Sequence, residues 1–272
     1  MCAPQIIRQL GDIDETGRGR RAFLRAAGAA AAVAVAAPAV TARAEPGGVL
    51  DLTHVLSPQT PVWPGNPPFT AVPVAWEAVG GFAQNALALW EHTGTHVDAP
   101  AHRRGSATTD LLPAQDLVAP LVVIDIRDRA GTDPDAGVTV ADLTEWEKRH
   151  GRIPDRAFVA MYSGWEQRLA VPGAFVNLDG HGIPHGPGFT AEAAEFLVSR
   201  REIVGAGVDT LSLDRAADRD YGAHTAFLGA GRYGVEMLAN LGAAPPVGAT
   251  VVVGAPKHIG GTGGPCRVLA LT

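Results

Sequence analysis

The sequence has few cysteines, and this scarcity limits how its fold can be held together. Only two of the 272 residues are cysteine, Cys2 and Cys266. Cys2 lies in a segment that we expect to be removed, so no disulfide can form within the remaining chain. We expect Cys266 to be a small buried residue rather than a catalytic nucleophile.

The sequence also lacks an apolar run long enough to span a membrane. Its alanine-rich stretch, residues 26–40, has about 15 residues, whereas a bilayer span needs roughly 20. The stretch follows Arg20 and Arg21 and precedes an A-x-A cleavage pattern that ends at Ala44. This order is typical of a twin-arginine export signal. We predict that residues 1–44 are cleaved and that residues 45–272 form one exported domain, periplasmic or extracellular.

Positive charge is scarce as well. The whole sequence has 22 basic and 28 acidic residues. Removal of residues 1–44 takes away six arginines and three acids, which leaves 16 basic and 25 acidic residues and a formal net charge of −9. This excess of acids argues against nucleic acid or an anionic membrane surface as a partner.

Alternating apolar and polar residues, bounded by glycine and proline, predict a series of strands. The predicted strands are 49–56, 69–76, 82–90, 121–126, 157–163, 203–210, 250–256 and 267–271. Gly80 and Gly81 separate the second and third strands, and the proline-rich stretch 57–68 must be a loop. Gly205 and Gly207 suggest close packing on their strand.

Helix signals are clearest at two places. Residues 139–150 begin with Thr139 and Asp142, which form a capping-box pattern, and residues 190–201 begin with an N-cap threonine. A shorter helix is predicted at 233–241. Helices between strands indicate an α/β fold with a mixed sheet.

The densest chemical segment is residues 92–102, HTGTHVDAPAH, which holds three histidines and one aspartate. Such side chains are common ligands of Zn²⁺ and Mn²⁺. In an extended chain, His92 and His96 would lie about 13 Å apart, at roughly 3.3 Å per residue, which is too far for one ion. The chain must therefore bend between them, and Gly94 permits the bend. We predict a strand that enters a tight loop and folds its ligands around an ion.

A second group of chemical residues lies near the C-terminus. It contains Asp209, Asp214, Asp218, Asp220, His224 and Glu236. Several of the aspartates are expected to form a solvated face. By spacing alone, His224 and Glu236 are only candidate ligands, with Glu236 near the start of the predicted last helix.

The motif HTGTHVDAPAH resembles the HxGTHxDxPxH signature of the metal-dependent cyclase family, which includes bacterial kynurenine formamidases and isatin hydrolases. Further segments also resemble family landmarks: PVWPG, SGW at 163–165, PGF at 187–189, VDTLSLD at 208–214, and the terminal KHIGGTGGPCRVLAL. The resemblance covers essentially all of the chain after residue 44. It implies a single-domain, swivelling β/β/α fold with a mixed sheet, and a homo-oligomer, either dimer or tetramer.

The same resemblance implies roles for individual residues. The implied metal ligands are His92, His96, Asp98, His224 and Glu236. Asp98 would bridge if two ions bind, and His102 would act as the acid and base. Trp63 matches a tryptophan that walls the substrate site, and Arg103 stands where many relatives have an aromatic residue.

The implied activity is a metal-dependent hydrolase that opens an amide or lactam of a small molecule, such as an arylformamide or an isatin-like compound, by metal-activated water. The cofactor would be one or two ions of Zn²⁺ or Mn²⁺. Two alternatives stay open: cyclisation or dehydration at the same site, and an exported metal-binding protein without catalysis. His102 discriminates the last, because a pure binder does not need a base beside its metal.

Other residues are weaker candidates. His54, His181, His185 and His258 could line the pocket, whereas His150 ends a helix and is expected to be structural. Ser163 lacks the G-x-S-x-G turn of a serine hydrolase.

Overall fold

The computed structural model describes residues 47–272, so the predicted signal peptide lies outside the described residues. The strands are β1 Val49–Asp51, β2 Thr70–Ala75, β3 Gln84–Ala88, β4 His96–Asp98, β5 Val118–Asp125, β6 Gly137–Val138, β7 Phe158–Tyr162, β8 Gly188–Phe189, β9 Gly205–Val208, β10 Tyr233–Glu236, β11 Thr250–Gly254, β12 Gly263–Pro265 and β13 Arg267–Leu271. The α-helices are α1 Glu77–Gly80, α2 Arg127–Ala130, α3 Val140–His150, α4 Ala191–Arg201 and α5 Gly222–Gly229. No helix within residues 47–272 is long and apolar enough to cross a membrane.

Nine strands of the described region form one mixed sheet in the order β1-β13-β11-β5-β7-β9-β10-β4-β12. Strands β5, β7, β9 and β10 run parallel, and the flanking pairs are antiparallel. Helices α3, α4 and α5 lie in the connections between successive parallel strands, because a parallel pair needs a crossover rather than a tight turn. The predicted α/β fold with a mixed sheet is confirmed.

The central strands are buried on both faces. On β5, Val122 and Ile124 pack into the cluster that contains Leu197 of α4, whereas Leu121 and Val123 belong to the cluster on the opposite face. Successive side chains of a strand point to opposite sides of a sheet. A strand covered on both sides is therefore apolar throughout, which explains the uninterrupted run LVVI in the sequence.

Two glycines on β9 make room for an aromatic pair, which confirms the predicted close packing on this strand. A Cβ on Gly205 would lie 2.7 Å from Cζ of Tyr233, and one on Gly207 would lie 2.6 Å from Cζ of Phe158. The two rings stack with their centroids 5.8 Å apart. Strand β9 thus supplies the space that its neighbours β7 and β10 fill.

The predicted helix starts are confirmed. Asp142 N donates to Thr139 Oγ1 at 3.3 Å, and Thr139 N donates back to the Asp142 carboxylate at 2.8 Å. The same carboxylate accepts a hydrogen bond from Arg129 at 2.7 Å. On α4, Thr190 Oγ1 accepts from Ala193 N.

The helix predicted at 233–241 is wrong. Tyr233–Glu236 forms β10, which pairs in parallel with β9 and antiparallel with β4, and these sheet hydrogen bonds outweigh local helix propensity. The helix α5, Gly222–Gly229, was not predicted, because Tyr221 at its start provides no side-chain cap and adopts a left-handed φ of 52°. The first predicted strand also ends earlier than expected, at Asp51.

Residues Val72–Ala86 belong to a different compact unit from the rest of the described chain. Strands β2 and β3 pair there, with α1 between them and Gly81 in the left-handed region at φ 75°. The unit carries exposed apolar side chains, among them Trp76 and Phe82. The predicted strand pair around Gly80 and Gly81 is confirmed.

Candidate metal centre

The sharp bend predicted within residues 92–102 is present. Gly94 adopts a φ of 66°, and its carbonyl oxygen lies 2.7 Å from Nδ1 of His96. A Cβ at Gly94 would approach Leu56 to 2.9 Å. The chain then enters β4, and the bend brings Nδ1 of His92 to 2.7 Å from Oδ1 of Asp98.

Sheet pairing brings Glu236 to the same place. In the antiparallel pairing of β10 with β4, Glu236 lies opposite His96. Its Oε2 is 3.3 Å from His96 Nε2, and its Oε1 accepts a hydrogen bond from Leu213 N at 2.9 Å. A carboxylate 140 residues later in the chain therefore reaches the motif through strand register, not through the helix expected there.

His224 completes the buried cluster from the first turn of α5. Its Nε2 lies 3.4 Å from Oδ2 of Asp98 and 3.3 Å from Oε1 of Glu236. Its Nδ1 lies 2.5 Å from Oδ2 of Asp214. Asp214 also accepts hydrogen bonds from the backbone N–H groups of Ala223 and His224, where a helix N-terminus favours negative charge.

The expectation of a solvated acidic face does not hold for two of the aspartates. Asp209 and Asp214 are each only 1% exposed. Asp209 accepts hydrogen bonds from Ser163 and from the backbone of Trp165. Asp214 orients His224, a role that sequence reasoning missed. Its place at the end of the VDTLSLD segment, ten residues before His224, was the available signal.

His102 differs from the other motif residues because its side chain is exposed. It ends the 3₁₀ turn Pro100–His102, and its ring lies 3.9 Å from the ring of His92 between centroids. Two sets of ligand-type atoms each fall within 4.8 Å of one another: His92, His96 and Asp98, and then Asp98, His102 and His224. Asp98 belongs to both sets.

The carboxylates and imidazoles of the cluster shift one another's pKa values. Burial raises the pKa of Asp98, but the facing imidazole rings of His224, His92 and His96 outweigh it and hold the pKa well below its ordinary value. Burial lowers the pKa of His96 and of His224, but their carboxylate partners outweigh it and raise both pKa values. The ring of His102 lies against the rings of His92 and His224, and the partial loss of solvent there lowers its pKa, which favours the neutral imidazole. A neutral imidazole is the form that can accept a proton.

The residues fit a metal ion. His96 Nε2 and Asp98 Oδ2 are buried, and neither has a hydrogen-bond partner in the described region. Buried polar atoms without partners are rare and call for an explanation such as an ion. Imidazole and carboxylate donors suit Zn²⁺ or Mn²⁺. The other ring nitrogens of His96 and His224 are held by Gly94 O and Asp214, as is usual for metal-bound histidines.

The other residues singled out in the sequence have contacts outside the metal cluster. Trp63 lies in the loop between β1 and β2, and no hydrogen bond or ring contact within residues 47–272 joins it to the cluster. His185 pairs with Asp135 at 2.7 Å, and His54 N donates to Thr95 Oγ1 at 2.9 Å. Cys266 is buried, as expected, and burial raises the pKa of its thiol to about 12.

Arg103 fastens the turn of His102 to the segment that carries His224. Its Nε donates to Thr225 Oγ1 at 2.9 Å, and its Nη2 donates to Asp220 O at 2.8 Å. The guanidinium also lies over the ring of Tyr221, 4.9 Å from its centroid. Arg103 therefore links the turn of His102 to the start of α5.

The chain is similar to known proteins of one family. A family model described as Cyclase, putative cyclase, matches residues 50–215. The isatin hydrolase of Roseibium aggregatum is 36% identical over 241 residues, which cover 82% of this chain and 91% of that protein. The kynurenine formamidase of Salinibacter ruber is 30% identical over 231 residues, covering 81% and 96%.

Solved structures of isatin hydrolases are also similar to this chain. Isatin hydrolase A from Ralstonia solanacearum is similar with a TM-score of 0.77 and 37% identity, over 82% of this chain and 91% of that one. An isatin hydrolase bound to the product analogue thioisatinate has a TM-score of 0.78 and 34% identity, covering 82% and 92%.

Proposed function

This chain belongs to the cyclase family, and we propose that it is a metal-dependent hydrolase that opens an amide or lactam bond in a small isatin-like or arylformamide substrate. The observation that carries the proposal is the exposed His102 beside a buried cluster of ligand-type atoms. A protein that only stores metal does not need such a residue.

The ligand assignment is part of the proposal. His92, His96 and Asp98 would hold a primary ion, and His224 and Glu236 would hold or support a second ion, with Asp98 available to both. The ion is Zn²⁺ or Mn²⁺. When bound, it supplies Lewis-acid chemistry, polarising a carbonyl oxygen and lowering the pKa of water.

The chain's own residues move the protons. His102, whose lowered pKa favours the neutral ring, accepts a proton from the attacking water as the C–O bond forms. It then donates that proton to the leaving nitrogen as the C–N bond breaks. Trp63 forms a wall for the substrate. The hydrolysis of a lactam this way yields one open-chain product with a carboxylate and an amine.

Substrate assays test the activity. The metal-loaded protein should hydrolyse isatin or an arylformamide, followed by the change in ultraviolet absorbance. Turnover only of an open-chain acid, by ring closure or loss of water, would reassign the site to cyclisation or dehydration, which the family description leaves open. Tight metal binding with no turnover of any of the three classes would indicate a metal-binding protein.

We also propose export by the twin-arginine route and assembly into a homodimer or homotetramer. The support for export is the sequence pattern around Arg20 and Arg21. Replacing both with lysine should leave the protein in the cytoplasm, and mass spectrometry of the exported protein should show a chain that begins at Glu45. Light scattering after size-exclusion chromatography measures the assembly.

A further inference from the structure

A short chain of hydrogen bonds leads away from His92 on the side opposite Asp98. Nε2 of His92 lies 3.3 Å from Oγ1 of Thr262. Oγ1 of Thr262 donates to Oε2 of Glu91 at 2.5 Å, and the backbone N–H of Thr262 donates to the same oxygen at 3.2 Å. His258 contacts the other carboxylate oxygen of Glu91 at 2.7 Å.

The single proton of a hydroxyl group fixes the direction of these bonds. An ionised carboxylate only accepts hydrogen bonds, so the Thr262 proton must point to Glu91. The lone pairs of Thr262 Oγ1 then face His92, and Nε2 of His92 must carry the hydrogen. In the neutral, metal-binding form of the imidazole only one nitrogen carries hydrogen, so Nδ1 of His92 then has a free lone pair for the ion that Asp98 also faces. Nδ1 is the atom that lies 2.7 Å from Asp98.

The backbone holds Thr262 in the position that these hydrogen-bond directions require. Thr262 O accepts a hydrogen bond from Ala99 N at 2.8 Å, and β12 pairs with β4 so that Gly263 lies opposite Asp98. A Cβ on Gly263 would lie 2.5 Å from Cε1 of His92. Only a glycine lets the strand pass this close to the ring.

We propose that Glu91 and Thr262 are positioning residues that select the Nε2-protonated tautomer of His92 and so prepare Nδ1 as a metal ligand. This inference rests on the metal site of the proposed function. It assigns a role to two residues outside the HTGTHVDAPAH motif, one directly before it and one 160 residues after its end. Partners of this kind are typically worth 10- to 100-fold in metal affinity.

The test is the Zn²⁺ and Mn²⁺ affinity of the complete mature chain, measured by competition with a chromophoric chelator. Thr262→Val keeps the shape and removes the hydroxyl, so Kd should rise by about 10- to 100-fold. Thr262→Ser restores the hydroxyl and should restore the affinity. Thr109→Val is the matched control, because its hydroxyl bonds to His258 O in the same region and does not touch His92.

Several results would overturn the inference. These are an unchanged Kd in Thr262→Val, an equal loss in Thr109→Val, or no recovery in Thr262→Ser. Absence of metal binding by the unmodified chain is a different failure, since it would reject the proposed function itself.

A second measurement needs no substitution at Thr262. In the Zn²⁺-loaded chain labelled with ¹⁵N-histidine, the ring signals of His92, identified by their loss in His92→Asn, should show a proton on Nε2. A proton on Nδ1 would refute the tautomer assignment even if Thr262→Val fails to fold.

Discussion

Asp98 offers the most direct test of the candidate metal centre. It is fully buried, and its oxygens lie 2.7 Å from His92 Nδ1, 3.3 Å from His96 Nε2 and 3.4 Å from His224 Nε2. Asp98→Asn keeps the size of the side chain and removes its charge. Loss of one partner from a buried charged group is worth about 3–5 kcal/mol. Since about 1.4 kcal/mol is a factor of ten, the Kd for the metal should rise roughly 10²- to 10⁴-fold.

The assay combines elemental analysis with chelator competition, so that both the number of bound ions and their affinity are known. Asp209→Asn is the matched control, because Asp209 is equally buried but its partners are Ser163 and Trp165. The control should lose stability and keep its metal affinity. Unchanged metal content in Asp98→Asn, or an equal loss in both variants, would refute the reasoning.

Three further predictions concern catalysis, packing and pH. His102→Ala should lower kcat by about 10²- to 10⁴-fold while most of the metal stays bound. Rates and metal are measured on one sample, and near-normal turnover would reject the acid/base role. Gly207→Ala should lower the free energy of unfolding in urea by about 1–3 kcal/mol, because the added Cβ meets Phe158 at 2.6 Å. Gly180→Ala enters open space and should change little, so equal losses would contradict the packing argument. Asp142→Ala should lower the free energy of unfolding by about 1 kcal/mol at pH 7. Burial raises the pKa of Asp142, but hydrogen bonds from Arg129 and Thr139 outweigh it and hold the pKa below its ordinary value. The carboxylate therefore stabilises the fold above its unfolded pKa of about 3.9, and this stability is lost as the pH falls through the lower folded pKa. The difference between the two proteins should shrink below about pH 4, and a constant difference would count against the linkage.

Local signals predicted the parts of the fold that local chemistry decides. Thr139 with Asp142 and Thr190 marked two helix starts, since capping needs only residues three apart. Gly94 marked the bend in the motif because the distance between two ligands required one. Gly205 and Gly207 marked a place of close packing without revealing which rings would fill it.

The secondary-structure errors came where contacts between separate segments of the chain decide the local structure. The four residues of β10 are too few for periodicity to separate strand from helix, and pairing with β9 and with the distant β4 makes them a strand. Helix α5 lacks a capping side chain at its start. The contact of Thr262 with His92 depends on the same tertiary arrangement, so no spacing in the sequence could have shown it.

The candidate centre forms only when β4 is paired on both sides in the correct register. This strand has three residues and lies between β10 and β12, so Glu236 reaches His96 only when β10 is paired, and Thr262 reaches His92 only when β12 follows. A slip of one residue would turn Val97 toward the cluster and His96 away from it. During synthesis the ribosome makes the motif more than a hundred residues before these partner strands. A nascent chain with only the motif therefore offers a few flexible side chains, and the assembled set of ligands comes into being only after nearly the whole chain has been made.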